Sequence, residues 1–380
     1  MINPFYVVCL VIIGVSIAVH GSQDTIKEDL ELERQLKLIN KHPIKTIHTK
    51  HGDIVDCIDI YKQLAFDHPL LKDHKLQRKR SLQKSSMKNL GKKSNFKLER
   101  VKCPKGSIPV RRTTKEDLIR EKKLLNKNIL AQGIPGVHLA ELALSRKFSP
   151  YYGVEGKNNV YNPRVTKGQM SLSHVWVQNG PNNKISLGWQ VSPDLYGDNK
   201  THLYASWTRD NFHKTGCYNV RCPGFVHTNS QIYLGLHADN TSKYNGTIYE
   251  FENYISMHPV TKDWWIQACG EDVGYYPAKL FSNLTWADKV GWGGRTLTPH
   301  GSPSPPMGAG HFPDNNIYHS CYFRNISFEN AIRIKKGPER YQTEKYVDKP
   351  NCFDLKYYGN VHGNSGYMLQ FGGPGGMCDD

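Results

Sequence analysis

From His138 to the C-terminus the chain is cut into short runs of alternating character, and this constrains its fold more than any other feature. Ser173 to Gln178, Ile185 to Val191, Leu203 to Thr208, Gln231 to Leu236, Thr247 to Ile255, Trp264 to Ala268, Tyr318 to Phe323 and Gly366 to Phe371 are rich in aromatic and β-branched residues and short for helices. Turn signals such as Asn179-Gly180 and Asn245-Gly246 lie between them. Such a pattern predicts an all-β domain, an antiparallel sandwich or barrel, and about 240 residues can bury one substantial core of that kind.

Two strands stand apart, Lys184-Ile185-Ser186-Leu187-Gly188-Trp189-Gln190-Val191 and Lys289-Val290-Gly291-Trp292-Gly293-Gly294. Each sets tryptophan beside glycine, which suits a strand approached closely by a ligand or by another backbone.

The first half of the chain is of another kind. Residues 1–21 carry a mostly apolar run from Phe5 to Val19 and then Ala18-Val19-His20-Gly21, which reads as a secretory signal peptide, too short to anchor in a membrane. Residues 22–135 are polar and Lys-rich, with helical spacing in Leu32, Leu36 and Ile39. The formal charge of +16 sits almost wholly here: Lys72 to Lys127 holds 20 Lys and Arg against 5 acids. In an exported chain a run such as Gln77-Arg78-Lys79-Arg80 reads as a solvated linker, and no nucleic-acid partner is expected. Arg78 to Arg80 and Arg111-Arg112 are places where a processing protease preferring basic residues would cut. The third segment, 136–380, is the β domain.

Eight cysteines follow Cys9 of the signal: Cys57, Cys103, Cys217, Cys222, Cys269, Cys321, Cys352 and Cys378. An even number in an exported chain predicts disulfides. Five N-x-[ST] sequons, at Asn199, Asn240, Asn245, Asn283 and Asn325, predict a glycosylated surface on the second half, in an extracellular or vacuolar compartment.

Several stretches resemble one known family. Asp56-Cys57-Ile58-Asp59-Ile60-Tyr61-Lys62-Gln63, Ala65-Phe66-Asp67-His68-Pro69-Leu70-Leu71 and Cys103-Pro104-Lys105-Gly106-Ser107-Ile108-Pro109-Val110-Arg111-Arg112 resemble the activation peptide of the plant neprosin family. Gly188-Trp189-Gln190-Val191, Thr215-Gly216-Cys217-Tyr218, Cys222-Pro223-Gly224-Phe225-Val226, Trp292-Gly293-Gly294, Met307-Gly308-Ala309-Gly310-His311-Phe312-Pro313 and Gly372-Gly373-Pro374-Gly375-Gly376 resemble its peptidase domain. The resemblance implies a sandwich of two large antiparallel sheets, a secreted zymogen and, in active members, a glutamic endopeptidase that cuts beside proline at acidic pH.

That chemistry uses two carboxyls, one ionised to activate water and one protonated to hold the oxyanion. By the resemblance they stand two residues before Gly-Trp-Gln-Val and directly before Trp-Gly-Gly, positions held here by Ser186 and Gly291. Neither side chain can titrate as a carboxyl, so a catalytically impaired member is expected. The alternative is an active acid-pH prolyl endopeptidase using relocated acids among Glu155, Asp194, Asp210, Glu250, Glu252, Glu271 and Asp288. The impaired form would be a pseudo-peptidase holding peptide, Pro-rich or cell-wall glycoprotein segments, or a partner of the active enzymes, in a cleft lined by Trp189, Gln190, Trp292, Tyr204 and Trp207; processing proteases are the other expected partners.

Other chemistries find little support. Ser186 lies in no G-x-S-x-G elbow, the 17 histidines include no H-E-x-x-H, and neither metal nor cofactor is expected. The family pattern implies Cys57 with Cys103, Cys217 with Cys222 and Cys352 with Cys378. Cys269 and Cys321 are left, and two thiols in an oxidising compartment are expected to form a fourth bridge across the sandwich.

Overall fold

The computed structural model describes residues 26–78, 98–124, 130 and 134–378. Residues 1–21, read above as a signal peptide, and most of the basic linker lie outside them. The described residues form three antiparallel sheets.

The smallest belongs to the N-terminal region: β1 (Pro43–His48), β2 (Ile54–Asp59) and β3 (Ser107–Arg111), in that order. A helix over 26–39, α1, precedes it and buries Leu32, with Leu36 and Ile39 half-buried, as the spacing predicts. Cys57 of β2 is bonded to Cys103, and α2 (Lys115–Leu124) follows β3. Arg111 and Arg112 are no open processing site: Arg111 pairs with Asp53 and Asp117, and Arg112 with Asp56. Cutting there requires β3 to leave its sheet.

The β domain is a sandwich, as its alternation predicts. One sheet runs β17 (Thr343–Val347), β4 (Val137–Leu144), β14 (Lys289–Leu297), β6 (Met170–Asn179), β7 (Asn183–Val191), β8 (Thr201–Thr208) and β9 (Cys217–Tyr218). The other runs β10 (Val226–His227), β13 (Glu271–Tyr276), β12 (Trp264–Ala268), β11 (Glu250–Met257), β5 (Gly153–Asn159), β15 (Cys321–Glu329), β19 (Tyr367–Gly372) and β18 (Asp354–Asn360), with β16 (Lys335–Lys336) beside β15. A short helix, α3 (Pro193–Tyr196), links β7 to β8.

The core lies between the two large sheets. Trp189 Nε1 donates to Asn159 O and Trp292 Nε1 to Glu155 O, so each indole spans from the seven-stranded sheet to β5. Trp207 is buried with Phe281 against it. Gln231 to Leu236 is not a strand. Its apolar residues enter the core, but Gly235, at φ +92°, turns the chain, and Leu203 hydrogen-bonds the turn from both sides.

Cys217–Cys222 and Cys352–Cys378 are bonded, whereas Cys269 and Cys321 are free. The expected fourth bridge fails on topology. Cys269 follows β12 and Cys321 opens β15, in one sheet with β11 and β5 between them. Three strand spacings of about 4.8 Å separate them, well beyond the roughly 7 Å that a disulfide tolerates between Cα atoms.

Candidate active site

Register fixes where Ser186 and Gly291, the positions at which the resemblance leads one to expect the family's carboxyls, stand. Ser186 on β7 lies opposite Trp176 on β6, and Trp176 lies opposite Gly291 on β14. The same row continues to Ser206 on β8, Ala143 on β4 and Glu344 on β17. Side chains alternate across a strand, and Trp189 and Trp292 point into the core, so this row occupies the outer face.

Trp176 fills the space between the two positions. A Cβ built on Gly291 would come within 2.6 Å of Trp176 Cζ2 and 2.6 Å of the Leu142 carbonyl oxygen. The obstacle is room, because Gly291 is not in the left-handed region. Ser186 is buried, and its Oγ makes no hydrogen bond among the described residues. Lys184, two residues before it, lays its Nζ 4.7 Å over the Trp176 ring. Burial first, and then the charge of Arg295, push the Lys184 amine down to about 7.

The neighbouring row carries a cluster that motif reading misses. Glu141 on β4, Gly293, His174 on β6, Gly188 and Tyr204 on β8 stand side by side. His174 Nε2 lies 2.8 Å from Glu141 Oε1, and Arg295 from β14 reaches the same carboxylate through Nε at 2.5 Å and Nη2 at 3.0 Å. The Tyr204 hydroxyl is 3.1 Å from His174 Nδ1, so a neutral ring that donates to Glu141 accepts from Tyr204. Burial opposes charge on Glu141, yet Arg295 and His174 hold it well below the usual carboxylate range. Burial also keeps His174 down at about 4 despite its acidic partner. Gly188 and Gly293 let the strands of this row approach closely: a Cβ would run into the carbonyl oxygen of Ser173 at the first and of Ala140 at the second. Alternation outward from Ser186 and Gly291 was the available signal.

This geometry corrects the expected cleft. Trp189, Trp292 and Trp207 belong to the inter-sheet core; only Gln190 and Tyr204 face outward, Gln190 Nε2 donating to Tyr196 OH at 2.8 Å. The acids named from sequence are not gathered here either. Glu250 pairs with Arg324, Glu155 with Lys335, Glu252 with Lys157, Glu271 with Arg100 and Asp288 with Arg146, while Asp194 and Asp210 accept from loop backbone. Along the described outer-face rows of the seven-stranded sheet the carboxylates are Glu141 and Glu344. Glu344 is tied to Tyr346 and, at 2.9 Å, to Lys289, which hold it at about 2.

The N-terminal region reaches this face. Leu130 is buried against Met170, Leu172, Tyr204, Tyr218 and Leu297, and its carbonyl accepts from Arg295 Nη1. Further out, Gln63 exchanges hydrogen bonds with the backbone of His227, and Arg111 donates to Tyr196 O. All five sequon asparagines are exposed.

A family model described as Neprosin matches residues 167–374, and one described as Neprosin activation peptide matches residues 46–130. The chain belongs to the neprosin family. The activation-peptide match covers β2, β3 and the second half of β1, and its last matched residue, Leu130, is buried against the outer face of the peptidase-like domain. Among solved structures, scytalido-glutamic peptidase with a peptide-based transition-state analogue is similar at TM-score 0.37 and 11% identity, covering 62% of this chain and 97% of that one. SCP-B, a member of the eqolisin family of peptidases in complex with the tripeptide Ala-Ile-His, is similar at TM-score 0.34 and 8% identity, covering 62% and 96%. No residue correspondence follows from likeness at that level.

Proposed function

We propose that this chain is a secreted, latent neprosin-family pseudo-peptidase, whose outer sheet face binds peptide without cleaving it once the activation peptide has left. One observation carries the reading: the indole of Trp176 stands between Ser186 and Gly291, in the space that the family's paired Glu side chains would enter. The reading is supported by the state of the remaining acids, since Glu141 and Glu344 are each neutralised by a cation. Neither is available as the protonated partner of a carboxyl pair, which is what relocated catalysis would need.

A buried face bearing Trp176, Tyr204, Tyr218 and Gln190 offers, when uncovered, aromatic surface for proline rings and polar groups for a peptide backbone. The three disulfides and the exposed sequons support an exported protein. Among the described residues no helix is long and apolar enough to cross a membrane.

The test is equilibrium binding of fluorescent proline-containing peptides to the chain before and after removal of residues up to about 135. Binding by the trimmed form only, weakened by Trp176→Ala, is expected; equal binding by both forms would place the ligand surface elsewhere.

A further inference from the structure

The N-terminal region and the peptidase-like domain meet at a second group of ionisable side chains, away from Trp176. Asp53 precedes β2, Asp198 follows α3, His202 lies on β8 and His237 pairs with it across an isolated bridge. His202 and His237 are buried and their rings lie 4.1 Å apart, with Tyr196 stacked at 3.7 Å on His202.

The contacts are short of protons. His202 Nδ1 lies 2.7 Å from Gly235 O and so carries the hydrogen, yet Nε2 faces Asp198 Oδ1 at 3.0 Å. In a neutral ring Nε2 is a lone pair, which leaves two acceptors face to face. His237 Nε2 meets Asp53 Oδ2 at 3.2 Å and Asp198 Oδ2 at 3.7 Å. Arg111 Nε occupies Asp53 Oδ1 at 2.7 Å, but among the described residues Asp53 Oδ2, on a side chain more than nine-tenths buried, accepts no hydrogen bond.

We infer that Asp198, His202 and His237 form a binding site for a divalent transition-metal ion of the zinc type, beside the contact that His237 makes with Asp53 of the activation peptide. Ligands at about 2.0–2.1 Å from a tetrahedral ion lie roughly 3.3 Å from one another; one ligand atom from each of these three residues lies within 4.8 Å of the other two, and His202 Nε2 and His237 Nε2 lie 3.0 and 3.7 Å from the Asp198 carboxylate. Two imidazoles with one carboxylate suit zinc better than the hard, all-oxygen cations. The hydrogen bond from His202 Nδ1 to Gly235 O is the outer contact that aims Nε2 at a metal. All three ligands belong to the peptidase-like domain, and a fourth position is left for water or another group. The nearby group His51, Glu99 and Asp239 has a different character: Lys50 Nζ lies 2.9 Å from Asp239 and supplies its cation. Sequence reading expected no metal because these ligands, spread from residue 198 to 237, make no motif.

The experiment uses the full latent chain, stripped with chelator and dialysed. Cobalt(II) is titrated while the visible absorption of a four-coordinate ion is followed, and zinc is titrated calorimetrically and against Tm. One ion per chain, a Tm raised by several degrees, and affinity lowered roughly tenfold or more in Asp198→Asn and in His237→Gln are expected, with Glu99→Gln unchanged. The unsubstituted chain serves as the variant-free arm. Absence of cobalt absorption and of any zinc-dependent Tm shift in cooperatively folding protein would overturn the site. Binding lost in Glu99→Gln would place it at the neighbouring group instead, and binding unaffected by Asp198→Asn and His237→Gln would overturn the ligand set.

Discussion

Ser186 and Gly291 share one row of the outer sheet face, separated only by the strand that carries Trp176. At about 4.8 Å per strand their backbones are roughly 10 Å apart, near enough for two carboxylates to meet over a bound peptide. In this chain the indole takes that place.

Restoring the acids therefore needs more than two substitutions. Gly291→Glu forces its Cβ against Trp176 and the Leu142 carbonyl, and overpacking of this kind costs about 1–3 kcal/mol. Urea denaturation should show Gly291→Glu destabilised, and Trp176→Ala should recover part of the loss in the double variant. An unperturbed single variant would mean that the indole is free to move aside.

Trp292→Ala tests the placement of the second tryptophan. A fully buried indole bonded to Glu155 O is core, and its removal should cost about 3–5 kcal/mol. A stable variant with weakened peptide binding would return Trp292 to a cleft.

These two tests mark what the sequence reveals. Alternation identifies β6, β7, β8, β11, β12, β15 and β19, the tryptophan–glycine motifs single out β7 and β14, and the remaining strands of the β domain go unnamed. The same alternation, followed one residue at a time from Ser186, separates Trp189 from the outer face and brings in His174, Trp176 and Lys184. Strand β5, GVEGKNN, escapes notice because its two glycines and two asparagines lack a β signature, though it carries the centre of the nine-stranded sheet. Glu141, Arg295 and the Asp53–His237 group are joined only by strand pairing and by the docking of the activation peptide, which no local pattern records.

Lys184 should make stability depend on pH. Its folded value of about 7 lies below that of an unfolded lysine, so between about 7 and 10.4 the unfolded chain holds an extra proton, and stability rises with pH across that window. Below it, both states are charged and the burial penalty is complete. Lys184→Met should gain roughly 2–4 kcal/mol at pH 6, at ~1.4 kcal/mol per tenfold displacement, with the gain shrinking towards pH 10. A gain that did not vary with pH would show that the amine is not the cause.

The free cysteines give a direct count. Thiol titration in guanidinium without reductant should find two thiols in the processed chain, Cys269 and Cys321. In the native state both should react slowly, because burial pushes Cys269 up to about 12 and Cys321 higher still. Finding none would restore the fourth bridge and require β12 and β15 to be arranged differently.

The central claim is the loss of catalysis at the row formed by Ser186, Trp176 and Gly291. Purified chain, trimmed of its activation peptide, is incubated with a proline-containing peptide library between about pH 3 and 5, where one carboxyl of a pair is ionised and the other protonated, and the products are read by mass spectrometry. No cleavage beyond that of a Glu141→Gln, Glu344→Gln control is the predicted result. Cleavage beside proline that this control abolishes would contradict the account and assign the chemistry to relocated acids.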